Sequence, residues 1–260
     1  MNPAQRLGGH PGLGDIRFIR RLSGGGGWNE TWLAARGEER LVVRLDTPAV
    51  AALGLDRHAE TAVLRSIAGR WLGPKLVYSD AERGVLVTSL LEGRTCTPAM
   101  LRNPRRLRAL GTLLRRLHRT VVTPTGAEPL DLARSVARYA SIVGGAWARS
   151  TARAAARAIQ SASGPRREPA LCHNDPVAQN VLCGPALRLI DWEFAAPGDP
   201  LFDLAVVVGH NSLNEREART LLASARGRAH LSDWRALGHL VDGYEDLRLL
   251  WEAAARKAMA

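Results

Sequence analysis

Five polar residues within the stretch 173–193 could carry out chemistry together. Residues 171–182 read Leu-Cys-His-Asn-Asp-Pro-Val-Ala-Gln-Asn-Val-Leu, which sets His173 and Asp175 just ahead of Asn180. A carboxylate such as Asp175 can accept the proton of a hydroxyl nucleophile. Asn180 and, eleven residues on, the Asp191 and Glu193 of Leu-Ile-Asp-Trp-Glu supply hard oxygens of the kind that Mg²⁺ takes. If 184–187 form the turn of a hairpin, Leu182 stands opposite Leu189 and Asn180 opposite Asp191. Cross-strand partners have Cβ atoms about 4.5–5.5 Å apart, so the two oxygens would meet one cation. The chemistry expected of this set is transfer of a phosphoryl group. Asn180 and Asp191 hold the metal, and Glu193 reaches either a second metal or the substrate. Asp175 and His173 are the candidate catalytic residues.

Upstream residues fit the same chemistry. Gly24, Gly25, Gly26 and Gly27 form an uninterrupted run before Trp28 and Asn29. Without Cβ atoms, a loop of this kind can close its N–H groups over phosphates. Leu-Val-Val-Arg-Leu at 41–45 puts Arg44 inside an apolar strand, where an unpaired charge is costly. In the next helix Glu60 shares a face with Val63, Leu64 and Ile67, so it also needs a partner. Arg44 and Glu60 are expected to satisfy each other, with Arg44 held toward nucleotide phosphates.

The elements that must position these residues change character along the chain. Short segments at 17–22, 32–35, 40–45, 75–78 and 84–89 read as strands around one helix at 56–70. After Glu92-Gly93 come amphipathic helices at 101–119, 130–143 and 147–161, a hairpin at 171–193, and further helix. The expected fold is α+β with two lobes, 1–89 and 90–260. Cys96, Cys172 and Cys183 are widely spaced, so neither a disulfide framework nor a zinc site is expected; Cys172 reads as a small buried residue. The net charge of +11 is nearly all arginine, spread along helical faces rather than interleaved with aromatics. A nucleic-acid partner is therefore not expected. No run is long enough for a membrane span, and the protein reads as cytoplasmic. Oligomeric state is not legible.

Taken together, these motifs resemble the choline/ethanolamine kinase and thiamine kinase branch of the aminoglycoside phosphotransferase superfamily, which shares the protein-kinase fold. The resemblance rests on Leu-Cys-His-Asn-Asp at 171–175, Leu-Ile-Asp-Trp-Glu-Phe-Ala at 189–195 and Gly-Asp-Pro-Leu-Phe-Asp-Leu-Ala at 198–205. Gly25, Gly26 and Asn29 match the branch's first loop, and Arg44 stands at its nucleotide-lysine position. The resemblance implies ATP as co-substrate with Mg²⁺. It also implies that Asp203 braces the catalytic loop from below, and that a hinge at 88–91, including Ser89 and Leu91, receives adenine.

Departures from protein kinases narrow the substrate. Asn174 stands where those enzymes carry an arginine that docks a phosphorylated loop. Only eleven residues separate Asp191 from Asp203, too few for a peptide platform. A small hydroxylated metabolite is expected instead. Tyr244 and Trp251, seven apart on one helix face beside Asp242, Glu245 and Asp246, could form a wall for a cationic alcohol of the choline, ethanolamine or thiamine type. The alternatives are an antibiotic phosphotransferase and, of another class, a non-catalytic kinase-like or basic nucleic-acid-binding protein.

Overall fold

The computed structural model describes residues 3–7, 13–22, 28–120, 128–162 and 168–259. A short helix α1 (Pro3–Leu7) precedes strands β1 (Arg17–Arg21), β2 (Asn29–Arg36) and β3 (Glu39–Asp46). Helices α2 (Ala49–Leu53) and α3 (Arg57–Ser66) follow, then β4 (Leu76–Asp80) and β5 (Val85–Ser89). These strands make one antiparallel sheet in the order β1-β2-β3-β5-β4. The β2–β3 turn is tight because Gly37 takes φ +57°, which a side chain would resist. Strand β3 buries Leu41, Val43 and Leu45. Helix α3 starts where the Asp56 side chain accepts the Ala59 N–H at 2.9 Å and thereby caps it.

The remainder is mainly helical. Strand β6 (Arg94–Thr95) leads to α4 (Pro98–Leu101), α5 (Pro104–His118), α6 (Leu132–Val143) and α7 (Gly145–Ser161). Three short strands, β7 (Ala170–Cys172), β8 (Val181–Cys183) and β9 (Leu187–Leu189), flank the segment 173–180, followed by β10 (Ala196–Gly198). Helices α8 (Pro200–His210), α9 (Glu215–Arg226) and α10 (Leu231–Ala258) close the fold. The main core joins α5, α8, α9 and the catalytic hairpin through residues such as Leu110, Leu114, Leu189, Trp192, Leu204 and Val207. Helix α8 is buried on nearly every side, which explains its almost continuous apolar sequence. The architecture is the two-lobed α+β arrangement expected. Among the described residues no helix is long and apolar enough to cross a membrane.

Two expectations need correction. Cys96 and Cys183 form a disulfide with Cα atoms 6.0 Å apart, 87 residues apart in sequence. The pairing depends on β6 lying beside β8, with Arg94 opposite Cys183, and such a long-range register is invisible in cysteine spacing. The strands approach so closely here that a Cβ on Gly93 would lie 2.8 Å from the Cys183 carbonyl oxygen. Cys172 is free and buried, as expected.

The second correction is the hairpin register. The loop is 184–186, one residue shorter than supposed, so Val181 faces Leu189 and Leu182 faces Arg188. Asn180 consequently lies opposite Ile190, whose N–H donates to the Asn180 carbonyl at 2.9 Å. Asp191 is the first residue beyond the ladder.

Candidate active site

The catalytic segment is held from below by one buried carboxylate. Asp203, on α8 with no exposure, accepts the backbone N–H groups of His173 at 3.1 Å and Asn174 at 2.6 Å. The Nε2 of His118, on α5, lies 2.7 Å from the same carboxylate. Asp203 thus braces the loop as the resemblance implied, and His118 is a supporting residue that the sequence reading missed. Asn174 takes φ +63°, a left-handed conformation that asparagine tolerates better than most residues. Its side-chain amide donates to the Phe194 carbonyl at 2.9 Å, tying the loop to the segment after Asp191.

His173 does not stand beside Asp175 in the cleft. It is fully buried against Trp192, and its Nε2–H donates to the Ile190 carbonyl at 3.0 Å. Burial holds its pKa below the ordinary imidazole value. The ring is a buried strut joining the loop at 173–175 to the end of the hairpin, and it does not face the same space as Asp175.

Asp175 is partly open to the cleft. The Asn180 amide donates to its Oδ2 at 2.8 Å and to its backbone carbonyl at 3.0 Å. Burial, reinforced by the Asp191 and Glu193 charges, pushes the Asp175 carboxyl well above the usual carboxylate range. Because Asn180 spends its N–H₂ on Asp175, its oxygen is the atom left for a ligand.

Asp191 reaches the cleft by a different route from the one expected. It leaves the hairpin with φ +63°, turning its carboxylate, 41% exposed, to 3.6 Å from an Arg44 guanidinium nitrogen. Desolvation and the nearby Glu193 raise its pKa to about 7.

Arg44 and Glu60 pair as anticipated. Arg44 donates to both Glu60 oxygens, at 2.7 Å to one and in a shorter contact to the other. Burial by itself would raise the Glu60 pKa, but Arg44 and then Arg57 outweigh it and hold the carboxyl below its ordinary value. Arg57 was not singled out from the sequence. It donates to Asp46 at 2.8 Å, Glu60 at 3.1 Å, Glu193 at 3.0 Å and Asn29 at 2.9 Å.

Two guanidiniums therefore lie among four carboxylates, Asp46, Glu60, Asp191 and Glu193. The cluster carries an excess of negative charge beside the free oxygens of Asp191 and Asn180. That donor set and that charge fit a divalent hard cation. Glu193 fits one less well. It is buried, and its oxygens accept Trp28 Nε1–H, Asn29 Nδ2–H and Arg57, each at 3.0 Å.

Of the expected nucleotide contacts, Gly24, Gly25, Gly26 and Gly27 lie outside the described residues. Asn29 spends its amide nitrogen on Glu193 and its oxygen on Arg57, so its side chain fixes the strand beyond the glycine run. Ser89 exchanges its N–H and hydroxyl with the Lys75 backbone, and Leu90 N–H donates to Arg40. Among the described residues the Leu91 N–H has no hydrogen-bond partner.

Tyr244 and Trp251 do not share one wall. Seven residues of helix separate them by about 10 Å along α10. Tyr244 is buried against Phe202, with its hydroxyl 3.5 Å from His210 Nδ1. His210 in turn meets Gln179 of the catalytic loop at 3.0 Å. Trp251 instead sits among Trp28, Tyr139 and Phe194, with ring centroids 5.5, 5.1 and 5.0 Å away. This aromatic group lies beside Glu193, because Trp28 bonds to it and Phe194 follows it.

Residues 19–240 match the phosphotransferase enzyme family APH. The chain belongs to that family. That family is one of phosphotransferase enzymes. Its fold is similar to the choline kinase LicA from Streptococcus pneumoniae, with TM-score 0.78 and 18% identity over 94% of this chain and 87% of that one. A choline/ethanolamine kinase family protein from Mesorhizobium loti superposes with TM-score 0.76 and 23% identity, covering 95% and 83%. The aminoglycoside phosphotransferase APH(2'')-Ib shares the fold at TM-score 0.63 and 16% identity, covering 93% and 94%. In sequence, 52 residues are 42% identical to protein LicA of Haemophilus influenzae, and the match spans only 20% of each protein.

Proposed function

We propose that this enzyme transfers the γ-phosphoryl group of ATP to the hydroxyl of a small cationic metabolite of the choline, ethanolamine or thiamine type. The observation that carries the reading is the aromatic group of Trp28, Tyr139, Phe194 and Trp251 beside a carboxylate-rich cleft. Ring faces and uncompensated carboxylates both favour a cation, and a desolvated cation–π contact contributes about 2 kcal/mol or more. Residues 1–89 serve as the nucleotide lobe and 90–260 as the catalytic lobe.

In this reading Asp175 accepts the proton of the attacking hydroxyl, oriented by its bonds from Asn180. Its raised affinity for protons suits that task. Asn180 and Asp191 would hold Mg²⁺, which would supply positive charge to offset that of the phosphates. Arg44 is fixed by Glu60 at the rim of this site. Among the described residues its Nε–H is buried without a hydrogen-bond partner, with an Asp46 carboxylate oxygen 3.9 Å away. A phosphate oxygen would satisfy that donor. Leu91 N–H is the hinge donor for adenine. Dependence on ATP argues for a cytoplasmic setting.

The test is a phosphorylation screen over choline, ethanolamine, thiamine, a neutral sugar and an aminoglycoside, with Mg²⁺ and ATP. Turnover of at least one of the three cationic alcohols supports the reading. Turnover of the sugar or aminoglycoside alone would overturn it.

A further inference from the structure

Glu193 and Arg57 form a bridge that the phosphotransfer chemistry does not require of them. Glu193 follows the catalytic hairpin by four residues, yet every hydrogen-bond partner the structure gives its carboxylate belongs to the other lobe. Trp28 and Asn29 lie at the end of the glycine run and the start of β2, and Arg57 opens α3. The donors are 136 to 165 residues away in sequence. Arg57 completes a closed circuit, because it also donates to the Asn29 side-chain oxygen, to Asp46 at the end of β3 and to Glu60 beneath Arg44. Glu193, Arg57, Asn29 and Glu60 are buried, with the Glu193 side chain 1% and the Arg57 side chain 8% exposed.

From this geometry we infer that Glu193 is not a metal ligand but a positioning residue, and that Arg57 and Glu193 together latch the phosphate-loop strand onto the catalytic strand. The inference rests on the nucleotide site proposed above. Asn29 and Arg57 fill both acceptor sites of Glu193 Oε2 and Trp28 takes one of the two on Oε1, so a metal would find one open site or have to displace a donor. Asp191, two residues earlier, meets no such competition beyond Arg44 at 3.6 Å. The latch fixes the start of β2: Asn29 cannot move without breaking bonds to both Arg57 and Glu193. It also fixes Arg44, since Arg57 and Arg44 share Glu60. The position of the phosphate-binding elements is therefore set by a residue of the catalytic lobe. Nucleotide affinity should depend on a contact that never touches the nucleotide.

The test measures binding of Mg-ADP, without turnover, by calorimetry across a range of Mg²⁺ concentrations. The proteins are the wild type, Glu193→Gln, Arg57→Gln, Arg57→Lys, their double variant Glu193→Gln/Arg57→Gln, and Asp191→Asn as the metal-ligand reference. Losing a buried charged hydrogen bond should weaken ADP roughly tenfold in either Gln variant. The half-saturating Mg²⁺ should stay at the wild-type value in both and rise only in Asp191→Asn. The double variant should be no weaker than either single one, since both break the same bridge. Arg57→Lys should recover part of the loss, because it restores the charge without the fork. If a Gln variant fails to fold, Trp28→Phe and Asn29→Ala remove one donor each and must weaken ADP in the same Mg²⁺-independent way. A raised Mg²⁺ requirement in Glu193→Gln, absent in Arg57→Gln, would make Glu193 a metal ligand and overturn the latch. Unchanged ADP affinity in all the latch variants would also overturn it. Failure of the wild type to bind Mg-ADP would overturn the phosphotransfer reading itself, and the latch with it.

Discussion

Replacing Glu60 with glutamine removes one charge from the centre of the ion network and leaves its shape almost unchanged. The Glu60 side chain is 3% exposed and is shared by Arg44 and Arg57, whose side chains are 9% and 8% exposed. Breaking a buried ion pair by removing one partner costs about 3–5 kcal/mol, because the other charge is left desolvated. Here two guanidiniums lose their common acceptor, and the contacts left to Arg44 are the longer ones, 3.6 Å to Asp191 and 3.9 Å to Asp46 and Glu193. At ~2–4 °C per kcal/mol for a chain of this size, the melting temperature should fall by roughly 6–20 °C. Arg44→Gln should cost less, since Glu60 keeps Arg57. The double variant should be close to Glu60→Gln alone, because the pair acts as one unit. Thermal unfolding of the three variants, together with their Mg-ADP affinities, gives both readouts. A Glu60→Gln protein within about 1 kcal/mol of wild type, or strictly additive losses in the double variant, would refute the reasoning.

Other expectations follow from single contacts. His173 is buried and neutral, with its folded pKa below the ordinary 6.5, so an unfolded chain takes up a proton there that the folded one does not. Stability should therefore hold above about pH 6.5 and fall below it, by up to about 1.4 kcal/mol per pH unit, and His173→Gln should flatten that slope in urea melts. Trp251→Ala should raise the acceptor KM several-fold while leaving the ATP KM unchanged in initial-rate assays, since Trp251 sits in the aromatic group proposed to meet the acceptor. Opening the Cys96–Cys183 disulfide with a thiol reductant should lower stability by about 2–4 kcal/mol, and Cys183→Ser should show no further response to reductant.

The parts of the site that are local in sequence were legible. Asp175, Asn180 and Asp191 lie within seventeen residues of sequence, and Arg44 and Glu60 were paired because each carried a charge on a face otherwise apolar. The exact register was not, because Val181 and Leu182 are both apolar, so a loop of three residues or of four gives Leu189 an apolar partner either way. That one residue moves Asp191 off the ladder, where its left-handed backbone rather than cross-strand pairing aims it. The contacts of Glu193 were not legible for a different reason. Its partners come from β2 and α3, and no spacing within 171–195 announces them. Arg57 could have been found, since it lies three residues before Glu60 and so shares its helix face. His118 and the disulfide had no local signal, as each depends on which helix or strand ends up beside the catalytic segment. Tyr244 and Trp251 share a helix face as expected, but α10 is long enough that one face passes two different neighbours.

The central claim is that Asp175 is the carboxylate that takes the proton from the acceptor hydroxyl. It is tested most directly by kcat for the best acceptor, measured beside the Kd for Mg-ATP, in wild type and Asp175→Asn. Loss of a positioned general base should lower kcat by ~10²–10⁴ while the nucleotide Kd stays nearly unchanged. An Asp175→Asn enzyme that retains the wild-type kcat would contradict the account.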